Sequence, residues 1–274
     1  MDHLAPKCLL ALLVVGTLIG MTEVDAQPKK VNSAPKRILM DDFSFVVPLF
    51  NDDDNLVCSA TIIRHGMLLT AKHCFYENDD PDDFYFVYST DAMIDDDDLR
   101  IPITAIRYDG PGDEVNDIAV LYYQKKYTEG RVKLQDISVN VDTLAKEGDS
   151  LLLVSYPITK SRKVMRIASI NCIRQRKIGT NPPLAKSPGY DGTLLDTNCL
   201  AFWGSSGGPI FQTQYENGQM KINSLEGVVT HSFDLKKDGS VDRDKMKKDS
   251  FGKYLTLNYS PFKQSNLIKR IFEH

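Results

Sequence analysis

The chain has 274 residues, a formal net charge of −4, 42% hydrophobic and 26% charged side chains, and five cysteines. These values exclude a disordered polymer, a collagen-like fibre and a strongly basic nucleic-acid binder. What is left is a folded chain, long enough to bury a substantial core as one large or two small domains.

At the amino end, Lys7 precedes an apolar run over residues 8–21, and Val24-Asp25-Ala26 stands where a signal peptidase reads small residues. Fourteen residues are too few to cross roughly 30 Å of hydrocarbon. A secretory signal over residues 1–26 is therefore expected in preference to a membrane anchor, and a secreted, extracellular product follows. Residues 27–37 then form a propeptide or amino-terminal extension. Cutting after Ala26 leaves 32 basic and 34 acidic side chains, a balance that favours no polyanionic partner. Cys58, Cys74, Cys172 and Cys199 remain. Four cysteines in an oxidising compartment suggest two disulfides, with three connectivities open. Their spacing and the scarcity of histidine speak against zinc.

Short apolar runs follow in chain order: 45–47, 60–63, 67–69, 84–87, 101–106, 118–122, 151–154, 164–170, 209–211, 226–230 and 254–257. Gly, Pro, Asn and Asp punctuate them, the pattern of an all-β barrel or sandwich. Asp41 to Arg100 holds 15 acidic residues against three basic ones. Oxygen-rich loops of this kind hold calcium in some proteins, but no EF-hand spacing is present, and solvated loops are expected. Residues 236–248 read as a polar loop between strands. Phe262, Leu267, Ile268, Ile271 and Phe272 recur at helical spacing and predict a short terminal helix.

Three places carry chemistry. Thr70-Ala71-Lys72-His73-Cys74 sets a histidine beside a cysteine 16 residues from Cys58, and His65, His73 and His231 are the candidates for a base near neutral pH. Asn116-Asp117 opens the apolar run Ile118 to Leu121, where a half-buried carboxylate is able to orient an imidazole. Gly204-Ser205-Ser206-Gly207-Gly208-Pro209 is a turn whose glycines tolerate left-handed backbone and expose a hydroxyl. Such a turn also aims the amides of Gly204 and Ser206 at one spot, as an oxyanion hole requires. Each read alone is ordinary: a surface histidine, a turn aspartate, a glycine-rich turn.

Taken together, His73, Asp117 and Ser206, in that order and with gaps of 44 and 89 residues, resemble the catalytic residues of the chymotrypsin-like serine proteases. Thr-Ala-Lys-His-Cys stands where that family has Thr-Ala-Ala-His-Cys, and the segments at Asp117 and Gly204 to Pro209 supply its other two signatures. The resemblance runs from about Ile38 to the carboxyl end. It implies an all-β protein of two six-stranded antiparallel β-barrels with a short terminal helix, and endopeptidase activity through His73, Asp117 and Ser206. It also implies an oxyanion hole at Gly204 and Ser206, and it pairs Cys58 with Cys74, leaving Cys172 with Cys199.

Some residues depart from the family pattern. Ser205 replaces the aspartate that, in digestive and clotting members, pairs with the amine freed by zymogen cleavage. Lys36-Arg37-Ile38-Leu39 looks like a tryptic activation site, but Met40-Asp41 follows in place of two glycines. Ser155-Tyr156-Pro157 and a cysteine seven residues before Ser206 look more like the glutamyl-endopeptidase and bacterial-type branch. The resemblance places Leu200, His231, Ser232 and Gly252 at the specificity pocket. Leu200 offers no anion to a buried lysine or arginine, so tryptic preference is not expected; an acidic preference through His231 and an apolar one both stay open. Expected partners are protein or peptide substrates and protein inhibitors, with no nucleic acid, no membrane anchor, no metal and no cofactor; a monomer is expected. The rival is a secreted homologue that binds a partner and cuts slowly or not at all. A lipase is a weaker rival, since Ser206 leads into a strand and lacks the strand-to-helix elbow.

Overall fold

In the computed structural model, the described residues are 40–76, 78–108, 117–134, 138–158, 163–174, 195–197, 199, 201, 203–217, 219–233 and 256–272. The expected signal and extension, Leu200, Gly252 and the polar stretch 236–248 lie outside them. Among the described residues, no helix is long and apolar enough to cross a membrane.

The first sheet contains β1 (Val46–Asn51), β2 (Leu56–Arg64), β3 (Met67–Thr70), β4 (Phe84–Tyr88), β5 (Leu99–Pro102), β6 (Ala105–Tyr108) and β7 (Ala119–Tyr122). Their order is β5-β4-β1-β2-β3-β7-β6. The run 101–106, expected as one strand, supplies parts of both β5 and β6. Its first half pairs with β4 and its second with β7. At the corner the Ile103 N–H donates to the Phe84 carbonyl at 3.0 Å, and the Thr104 N–H donates to the Tyr122 carbonyl at 2.8 Å. Pro102, with no N–H to give a ladder, ends the first half. One bent strand therefore joins the two ends of the sheet, which closes as a barrel of six strands when that strand is counted once.

The second sheet contains β8 (Ser138–Val139), β9 (Ser150–Ser155), β10 (Ile167–Ile173), β11 (Leu195–Thr197), β12 (Pro209–Glu216), β13 (Gln219–Phe233) and β14 (Thr256–Pro261). The path runs β10-β9-β12-β13-β14-β11, and β8 adds a short parallel pair to β13. A bridge between Arg174 and Thr197 links the two end strands, so this path also closes on six. The 15 residues of β13 extend well beyond the run 226–230 expected from the sequence. Its first half folds back on β12 in a hairpin whose last pair is Glu216 with Gln219, and Asn217 just after Glu216 has φ 52°, the left-handed conformation that tight hairpins require.

Apolar alternation gives each barrel an inward face, and one core cluster runs through both. Phe43 and Phe45, leading into and beside β1, meet Phe211 of β12 at ring-centroid distances of 6.0 and 6.2 Å. Truncating any one of these three buried rings to alanine is a loss of about 3–5 kcal/mol. Helix α1 (Asn266–Phe272) fits the predicted terminal helix. The Ser265 hydroxyl caps it by accepting the Ile268 N–H at 3.1 Å, and its buried face is Leu267 and Ile268.

Tyr156, just beyond β9, is fully buried. Burial pushes its phenol up to about 12, against the opposing pull of the Arg166 guanidinium 5.5 Å from the ring centroid. The unfolded chain ionises this group near pH 10, so above that pH the unfolded state loses the proton first. Stability is complete below pH 10 and falls by about 1.4 kcal/mol per pH unit between 10 and 12. Urea denaturation at pH 9 and 11 is expected to show the drop, and a Tyr156→Phe variant a smaller one.

Candidate active site

The antiparallel register of β3 and β7 sets up the first half of the site. Thr70 is opposite Ala119, so the chain leaving β3 and the chain entering β7 meet at the same end of the barrel. Three residues after Thr70 comes His73, in the single 3-10 turn Lys72–Cys74; two before Ala119 comes Asp117. The Cys58–Cys74 disulfide ties that turn to β2. Asp117 Oδ1 accepts the His73 backbone N–H at 2.8 Å, and Oδ2 lies 2.6 Å from Nδ1. A carboxylate only accepts, so in the neutral ring it fixes the proton on Nδ1 and makes Nε2 the accepting nitrogen. The aspartate side chain is 15% exposed and the imidazole 36%: the acceptor is shielded, and the ring is reachable.

The second half is the loop 203–208. Gly204 and Gly207 have φ of 85° and 75°, in agreement with the left-handed turn read from the sequence. A Cβ on Gly207 would overlap Thr70 Oγ1 and the Ser59 carbonyl, and would come within 2.9 Å of Ala71 N. The segment that carries His73 thus packs directly on the residue after Ser206. The Ser206 carbonyl accepts from Ser59 N–H at 2.8 Å, and Gly207 N–H donates to Val229 O at 2.8 Å. Ser206 is partly exposed, while Ser205 is buried. Among the described residues, no carbonyl takes up the N–H of Gly204 or of Ser206. Gly207→Ala is expected to cost about 3 kcal/mol or more, from the left-handed backbone and the overlap together, as read by the denaturation midpoint.

Of the residues expected at the specificity pocket, His231 and Ser232 lie on β13, just past Val229, whose N–H donates to Gly208 O at 2.9 Å. Leu200 and Gly252 are outside the described residues. Cys172 and Cys199 form the second disulfide. The sulfurs of Cys58 and Cys74 lie near His73 but are bonded to each other, so they offer no thiolate to a metal. Sequence reasoning missed the roles of Ser59 and Ser155. Ser59 Oγ bridges Tyr156 N–H and the Gly204 carbonyl, and Ser155 Oγ meets Ser205 Oγ. A single serine in a strand carries no signal for such a contact.

A family model described as a trypsin-like peptidase domain matches residues 58–217. That span contains His73, Asp117 and Ser206. No curated protein matches the chain.

Proposed function

We propose, from the premise that this chain belongs to the trypsin-like peptidase family, that it is a secreted serine endopeptidase using His73, Asp117 and Ser206 as its catalytic triad. The observation that carries the reading is the double contact of Asp117 with the backbone and ring of His73. That contact orients the ring with Nδ1 toward the carboxylate and Nε2 as the nitrogen that serves as base, which is the arrangement a serine nucleophile needs.

In the proposed cycle Ser206 Oγ attacks the scissile carbonyl as His73 Nε2 takes its proton. Asp117 holds the ring and stabilises the imidazolium. The amides of Gly204 and Ser206 receive the oxyanion, each worth roughly 3 kcal/mol in sites of this kind. His73 then gives its proton to the leaving amine. Water, deprotonated by the same nitrogen, cleaves the acyl-enzyme and restores the serine.

The segment 1–26 supports export, and the two disulfides fit an oxidising compartment. Substrates on this reading are proteins or peptides. Leu200 argues against a basic residue before the cut; His231 favours an acidic one in the manner of glutamyl endopeptidases, and Leu200 itself an apolar one. A peptide-library cleavage profile on purified secreted protein, beside Ser206→Ala and with amino-terminal sequencing, is the test. Cleavage absent from the Ser206→Ala control supports the peptidase, and the residue preferred before the cut decides its specificity. No cleavage by correctly processed protein overturns the reading in favour of a binding homologue.

A further inference from the structure

Ser205 precedes the proposed nucleophile and is 1% exposed. It carries no charge, so it offers no counterion to a buried ammonium. Its hydroxyl instead lies 2.9 Å from that of Ser155, at the end of β9. Close by, the fully buried Ser59 of β2 donates its hydroxyl to the Gly204 carbonyl at 2.7 Å and accepts the Tyr156 N–H at 2.8 Å.

Four consecutive carbonyls of the loop are held by named donors. Trp203 O takes the Ile158 N–H at 2.6 Å, Gly204 O the Ser59 hydroxyl, Ser205 O the Gly208 N–H at 2.9 Å, and Ser206 O the Ser59 N–H at 2.8 Å. A trans peptide is planar, with its N–H directed opposite its carbonyl. Holding Trp203 O therefore aims the Gly204 N–H, and holding Ser205 O aims the Ser206 N–H. Those are the two donors assigned to the oxyanion. Ser59 holds the peptides that alternate with them, and Ser155 engages the side chain between.

We propose that Ser59 and Ser155 are positioning residues whose buried hydroxyls keep the loop 203–208 in its oxyanion-binding form, so that activity needs no amino-terminal ion pair and no cleavage after Arg37. The inference rests on the peptidase reading and adds its regulation: the site is competent as folded.

The test uses the full-length secreted protein in wild-type, Ser59→Ala, Ser59→Thr, Ser155→Ala, Arg37→Gln and Ser206→Ala forms. Ser59→Ala is expected to lower kcat by about 10²-fold, the scale of a small misplacement at a reacting centre, with KM unchanged. Affinity for a peptide aldehyde, which binds as an oxyanion-bearing adduct, falls by a similar factor, and binding of a product peptide does not. Ser59→Thr, which keeps the hydroxyl, restores most of the rate, and Arg37→Gln matches wild type. If Ser59→Ala does not fold, Ser155→Ala decides by the same separation of kcat from KM. Wild-type kcat in a folded alanine variant, a loss confined to KM, or an inactive Arg37→Gln overturns the inference while the peptidase reading stands. A wild type as silent as Ser206→Ala overturns the peptidase reading, and this inference with it.

Discussion

Replacing Ser206 with alanine is expected to lower kcat by about a millionfold while leaving KM and the folded state nearly unchanged. The hydroxyl is the only group proposed to bond covalently with substrate, and the other serine of the loop, Ser205, is buried with its hydroxyl 2.9 Å from that of Ser155. The side chain is only partly buried, and its backbone carbonyl keeps the Ser59 N–H, so the substitution removes chemistry and little packing. His73→Ala is expected to cost a comparable factor, and the double variant no more than either single one, because nucleophile and base act as one unit. Steady-state kinetics on the three variants, with thermal unfolding as a control, reads the result. Additive losses would show that the two residues work separately.

Asp117→Asn is expected to lower kcat by about 10⁴-fold. Both carboxylate oxygens accept hydrogen bonds, one from the backbone N–H of His73 and one from its ring. An amide has one acceptor and one donor, so either orientation sets an NH2 where a carboxylate oxygen was. Turned toward the backbone, it faces another donor and costs about 1–3 kcal/mol of unsatisfied bonding. Turned toward the ring, it favours the tautomer with the proton on Nε2, which is unable to act as base. A variant that folds with an intact melting profile and has lost its rate agrees with this account; one that keeps wild-type kcat does not.

The barrel strands were legible wherever a run of three or more apolar residues met turn residues, as at β2, β3, β7 and β9. The meeting of His73 with Asp117 was legible through the resemblance of their motifs; the apolar runs beside them show two strands, but not that β3 and β7 pair in register. Less visible was the corner at Ile103-Thr104, where one apolar run serves two neighbours, since periodicity says nothing about which strand receives each half. β8 and β11, of two and three residues, are too short to carry a period. Asn217-Gly218 is a turn signal in the sequence, but the polar residues of the first half of β13 hid the strand behind it. Ser59 is the clearest case of information that exists only in three dimensions. Its hydroxyl joins β2 to residues 97 and 145 positions away, and nothing local distinguishes it from any other serine in a strand.

The most direct measurement for the triad is to treat the secreted protein with a fluorophosphonate and locate the adduct by peptide mass spectrometry. The account predicts stoichiometric modification of Ser206, strongly slowed in His73→Ala and absent from Ser206→Ala. A folded wild-type protein that stays unmodified, or one labelled at another serine, would contradict it.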